Sequence, residues 1–215
     1  MGFCGWVMAE KVRRMRGSMK RWGAGCMLLL LSPLTYGSMA RPAVLPETVI
    51  NVRFYDVSAP DMGALPSALD RVAPRDQGKV ALGKASYRLD WRLELEQGKQ
   101  GCAIRQIVVS TDATLLIPRW LEKGKASRQE RLRWERITAG LLDYEARHKE
   151  MVLQSATRIG IALADLPAEP SCDALRYSAW KAGMKELEQG QRRIDSFQRQ
   201  TRHGEMLGLR WPGEG

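Results

Sequence analysis

Two histidines occur in the 215-residue chain, His148 and His203. The first closes the segment Tyr144-Glu145-Ala146-Arg147-His148. On a helix, Glu145 and His148 are three residues apart and Tyr144 and His148 four, so all three share one face. A histidine at position 144 would make this H-E-x-x-H, in which two imidazoles hold zinc and the glutamate is the general base. Tyr144 stands there instead. Read from spacing alone, Glu145 and His148 are either such a site or a satisfied helix pair. His203, in Thr201-Arg202-His203-Gly204, is either a further metal ligand or an exposed histidine after the last helix.

The elements that must carry these residues follow from periodicity. Tyr87, Leu89, Trp91, Leu93 and Leu95 alternate with Arg88, Asp90, Arg92, Glu94 and Glu96, the pattern of a half-buried strand. A second strand, rich in β-branched residues, is predicted from Cys102 to Leu116 and pairs antiparallel with the first across the turn at 97–101, with Pro118 ending it. Val49 to Val57 is a third strand candidate. A short helix near Gly63–Val72 and a turn cluster at 74–78 follow.

Ser127-Arg128-Gln129-Glu130 is a capping box, so Ser127 N-caps a helix. Leu132, Ile137, Leu141, Leu142, His148, Val152, Ile159 and Leu163 continue it to about Ala164. Pro167 and Pro170 close it, and Ser171 caps a last helix from Cys172 to about Arg202, with Gly204 as its stop. Leu175, Ala179, Leu187, Ile194, Phe197 and Thr201 mark its apolar side. Strands first and helices later give an α+β class: an antiparallel sheet followed by two long packed helices.

Residues 1–40 read as a secretory signal. Lys20-Arg21 is the positive region, Gly23 to Tyr36 the apolar one, and Ser38-Met39-Ala40 the small-x-small cleavage site. Met19 is the natural start under this reading, and 1–18 an over-extended frame. An uncleaved N-terminal anchor is the rival, although the apolar run is short for a membrane span. Residues 41–48 read as an extended linker because of Pro42 and Pro46, 49–206 as the domain and 207–215 as a tail. The net charge of +10 is largely N-terminal. Six of the 34 basic and one of the 24 acidic residues precede residue 41, leaving 28 and 23. That mild excess does not call for nucleic acid as a partner. Export removes two of the four cysteines; Cys102 and Cys172 remain, as a disulfide or as two separate buried thiols, and an exported chain favours the bridge.

Several short marks occur in order: Phe54-Tyr55-Asp56-Val57-Ser58, Pro74-Arg75-Asp76, Tyr87-Arg88-Leu89-Asp90-Trp91, Gly101-Cys102, Ile117-Pro118-Arg119-Trp120, Glu145-x-x-His148, Ser171-Cys172 and Thr201-Arg202-His203-Gly204. From about Val52 to Gly204 the chain resembles a bacterial family of unknown function whose members are predicted secreted zinc-dependent proteases. The resemblance implies a zincin-like domain, with Glu145 as general base, zinc as cofactor, His148 and His203 as ligands, and Tyr144 in place of the third. It also implies the Cys102–Cys172 disulfide. Phe197-Gln198 stands where the family pattern has Tyr-Asp. The expected protein is a periplasmic or secreted zinc-metallopeptidase-like domain with a degenerate motif, acting on peptide or protein and free of a transmembrane span once the signal is removed. The alternative is a non-catalytic envelope or binding module that keeps the fold without metal.

Overall fold

Residues 41–209, apart from Gln77, are described by a computed structural model; the signal segment and its cleavage site lie outside the described residues. The frame is a three-stranded sheet of order β1-β5-β4, with β1 at Ala43–Val57, β4 at Lys84–Gly98 and β5 at Gly101–Trp120. Between β1 and β4 come α1 (Leu65–Val72) and a small hairpin of two-residue strands, β2 (Arg75–Asp76) and β3 (Lys79–Val80). Two long helices follow, α2 at Arg128–Ala164 and α3 at Cys172–Gln200.

The alternation in β4 does what it predicts. Tyr87 and Leu89 are buried with Ile107, Val109, Thr111, Ala113, Leu115 and Ile117 of β5, its antiparallel partner. The class is α+β as expected, but the sheet is mixed, because β1 runs parallel to β5. Antiparallel pairing throughout was the expectation, and it fails because the strand that reaches β5 from the other side comes by a crossover through α1 and the hairpin, which permits a parallel strand.

Two proline arguments also fail. Ala43 to Thr48, read as linker, is strand. Pro46 lies on an edge strand, where a residue without N–H need cost no ladder bond. Pro118 does not end β5, which runs to Trp120. It lies beyond Leu116, the last residue β4 pairs, so one side of β5 is already without a neighbour there.

The Ser127 capping box is present: Ser127 Oγ accepts from Glu130 N at 3.3 Å and Glu130 Oε2 accepts from Ser127 N at 2.9 Å. The buried stripe of α2 is Trp134, Ile137, Leu141, Tyr144–Glu145, His148, Val152 and onward. Leu132 and Leu142, expected on it, are exposed, since each falls off the stripe that Trp134 and Tyr144 continue. Cys102 and Cys172 form a disulfide with a Cα–Cα distance of 5.0 Å. Beside it Cys102 and Glu169 exchange two main-chain hydrogen bonds, so the start of α3 is fastened to the start of β5. The segment read as a tail is not free of the domain: a 3-10 turn at Glu205–Leu207 follows α3, and Leu209 packs on the core.

A candidate polar site at the crossing of the long helices

Contacts between α2 and α3 run in opposite order along the two chains. Gly190 and Arg193 meet Ser155, Phe197 meets His148 and Tyr144, and Gly204 meets Tyr144. The helices therefore pack antiparallel, with the end of α3 against the middle of α2. This offset brings Phe197 of α3 and the Gly204 turn against Tyr144 and His148 of α2.

Tyr144, Glu145 and His148 are all buried, at 7%, 5% and 6% exposure. His148 Nδ1 lies 3.5 Å from Glu145 Oε2, an ion-pair distance at the limit of hydrogen bonding. His148 Nε2 and Glu145 Oε2 are buried without any hydrogen-bond partner. The Tyr144 ring lies 4.4 Å from that of His148 and stacks on Phe197 at 5.6 Å, while Phe197 meets His148 edge-on at 5.3 Å. On the sheet side, the Tyr87 hydroxyl donates to the main-chain oxygen of Glu145 at 3.5 Å.

His203 is on the surface. Its N–H donates to Gln198 O at 2.8 Å, within a left-handed turn in which Arg202, His203 and Gly204 have φ of 49°, 55° and 96°. Two non-glycine residues in this region cost about 1–2 kcal/mol each. Gly204 is needed for contact as well as for φ: a Cβ there would lie 3.1 Å from Tyr144 Cδ2 and 2.9 Å from Leu209 Cδ2. The turn thus rests on Tyr144, while the His203 side chain stays in solvent.

Two turns further along α2, Ser155 is fully buried. It donates to Met151 O at 2.8 Å and accepts from Arg193 Nη2 at 3.2 Å, and Arg193 Nε has no partner. Sequence reasoning missed Ser155, although its signal was present: it is seven residues from His148 and continues its face.

Residues 52–204 match the family described as "Bacterial protein of unknown function (DUF922)". The chain belongs to this family. No curated protein and no solved structure matches it. The DUF922 span runs from β1 through the Gly204 turn, so every candidate residue falls inside it.

Imidazole and carboxylate are suitable donors for zinc, and buried unpartnered polar atoms are what an absent cation or water would leave. In number the set falls short. Among the described residues, no three His, Cys, Asp or Glu side chains gather as a metal-holding group. Glu145 and His148 are a pair, not a triad. Among the described residues, no helix is long and apolar enough to cross a membrane.

Proposed function

We propose that the protein is an exported, zinc-metallopeptidase-like domain with an incomplete ligand set, acting weakly on peptides. The observation that carries this reading is the orphaned pair, Glu145 Oε2 and His148 Nε2, buried on one turn of α2. Leaving His148 Nε2 unsatisfied costs about 1–3 kcal/mol, and Glu145 Oε2 has only its 3.5 Å ion-pair contact with His148 Nδ1 to offset burial. The Cys102–Cys172 bridge supports export, since disulfides persist in oxidising compartments.

In this reading a proton on His148 Nδ1, beside Glu145, leaves Nε2 with its lone pair for a cation. Were a cation held there, Glu145 would be the group placed to accept a proton from a water beside it and to pass it on to a leaving amine. Zinc, when bound, lowers the pKa of its water and polarises the substrate carbonyl. His203, exposed on the turn that rests on Tyr144, stands outside the ligand set, which leaves His148 as its one imidazole and Tyr144 in the place of another ligand. A phenol is a weaker zinc donor than imidazole at neutral pH, because it must first lose a proton with a reference pKa near 10.

A second reading has its own observation. The Tyr144 and Phe197 rings pack directly on His148, as they would in a non-catalytic binding module that kept the fold without metal. Calorimetric zinc titration of the wild-type protein and of Tyr144→His separates the two. The first reading expects weak wild-type binding and a gain of about tenfold or more in the variant, at least the size of a supporting-shell effect. Zinc binding by neither protein would leave the second reading standing.

A further inference from the structure

β1 is an edge strand of 15 residues, and nearly all of it is open to solvent. Six large apolar side chains along it, Val44, Leu45, Val49, Ile50, Val52 and Phe54, are between 39% and 57% exposed. The register with β5 sets Val44, Ile50, Val52 and Phe54 beside Ile107, Ala113, Leu115 and Ile117, all buried under the helices. The apolar face of the sheet therefore continues past the helices onto β1. A long apolar edge is a template for another strand, and such edges are ordinarily blunted by charge or proline. On β1 the means of doing so are Pro46, Glu47 and Arg53, and their placement selects a partner.

Glu47 and Arg53 are equidistant from Ile50, three residues to either side. Let two copies of β1 pair antiparallel about a two-fold axis at Ile50. Each Glu47 then faces Arg53 of the second copy, Thr48 faces Val52, and Pro46 faces Phe54. Residues directly opposite share a face in such a pair, so the ionic pairs fall on one face and Val52 and Phe54 on the other. Arg53 makes no ion pair among the described residues. Glu47 already accepts from Arg92 Nη2 and Ser110 Oγ, each at 3.0 Å, but both use Oε2; Oε1 can take the new bond. We propose that β1 is the interface of a two-fold homodimer, formed edge to edge in this register. The product is a six-stranded sheet of order β4-β5-β1-β1-β5-β4 in which the same patch serves both copies. A foreign strand would have no need of the symmetric placement of Glu47 and Arg53.

A single strand pairing buries less than the roughly 1,200–2,000 Å² of a standard stable interface, so the dimer is concentration-dependent. Sedimentation velocity over a range of concentrations, on the protein as recovered from the cell that makes it, is the test. The wild type shows a monomer–dimer equilibrium. Arg53→Glu alone, and Glu47→Arg alone, each weaken it by about tenfold or more, because two symmetry-related pairs turn from attraction to repulsion. An equimolar mixture of the two variants dimerises again, since each then presents the charge the other lacks. Both sites are exposed, and matching thermal melts confirm that the variants fold. A wild type that stays monomeric, with β1 covered by residues 1–40 or by another partner, overturns the proposal. So do single variants that dimerise like the wild type, which would put the interface elsewhere, and a mixture that fails to recover, which would rule out this register.

Discussion

Glu130 and Glu145 lie on the same helix and are treated in opposite ways. Glu130 is at the exposed end of α2, yet its carboxylate accepts from Met62 N at 3.0 Å and from Ser127 N at 2.9 Å. Glu122 just before it is similar, accepting from Ser58 Oγ at 2.6 Å and Ala59 N at 2.9 Å. Glu145 is buried four turns further along α2, where desolvation is costly, and its Oε2 has no hydrogen bond. A carboxylate that organises the fold is saturated with donors even in water. Glu145 lacks that saturation, and under the proposed function it is kept for what it binds.

The largest expected effect comes from removing the unsaturated pair. Replacing Glu145 by Met and His148 by Leu together should stabilise the protein by about 1–4 kcal/mol, as apolar replacement of buried ionic groups often does. Chemical denaturation measures this. A loss of stability instead would make the pair a structural element and erase the contrast with Glu130.

Next in size is Gly204→Ala. The residue has φ of 96° and its Cβ would press on Tyr144 and Leu209. A loss of about 1–2 kcal/mol is expected, more than an ordinary loop substitution costs. If zinc affinity is unchanged in that variant while stability falls, the turn supports the fold without shaping the site.

What could be read from the sequence was what is local. The charged face of β4, its hairpin with β5 and the Ser127–Glu130 box each lie within a few residues of chain, and each formed as expected. The parallel strand β1 depended on a partner roughly sixty residues away, Val49 against Asp112 for instance, and no local pattern encodes that choice. At the candidate site, burial of His148 was legible because it continues the apolar stripe. Its contact with Phe197 was not, because it depends on the offset of α2 against α3. The exposure of His203 depends on a left-handed turn in which two non-glycine residues share the conformation with Gly204, a choice that glycine at 204 signals only for itself.

Smaller effects sharpen the saturated side of the comparison. Ser127→Ala removes the acceptor for Glu130 N and one partner of the box, for an expected loss of about 0.5–2 kcal/mol, read as a lower midpoint in denaturant with an unchanged slope.

The smallest effect is on pH dependence, and its sign is fixed by the same bonds. The main-chain N–H of Met62, followed by Ser127, holds the Glu130 carboxyl below its ordinary value of 4.5. Ser58 and then Ala59 N–H do the same for Glu122. A carboxyl whose pKa is lower folded than unfolded binds fewer protons in the folded state, so its contribution is complete above the ordinary value. It is lost as pH falls below 4.5 and through the depressed folded value. Thermal melts should therefore hold steady above about pH 5.5, a unit clear of that value, and decline below pH 4.5. Glu130→Gln should flatten that decline, because the amide cannot titrate and keeps only a neutral acceptor for the Met62 and Ser127 N–H groups. An acid limb equally steep in this variant would mean that carboxylates elsewhere dominate acid unfolding, and that saturation at the start of α2 is a matter of geometry more than of charge.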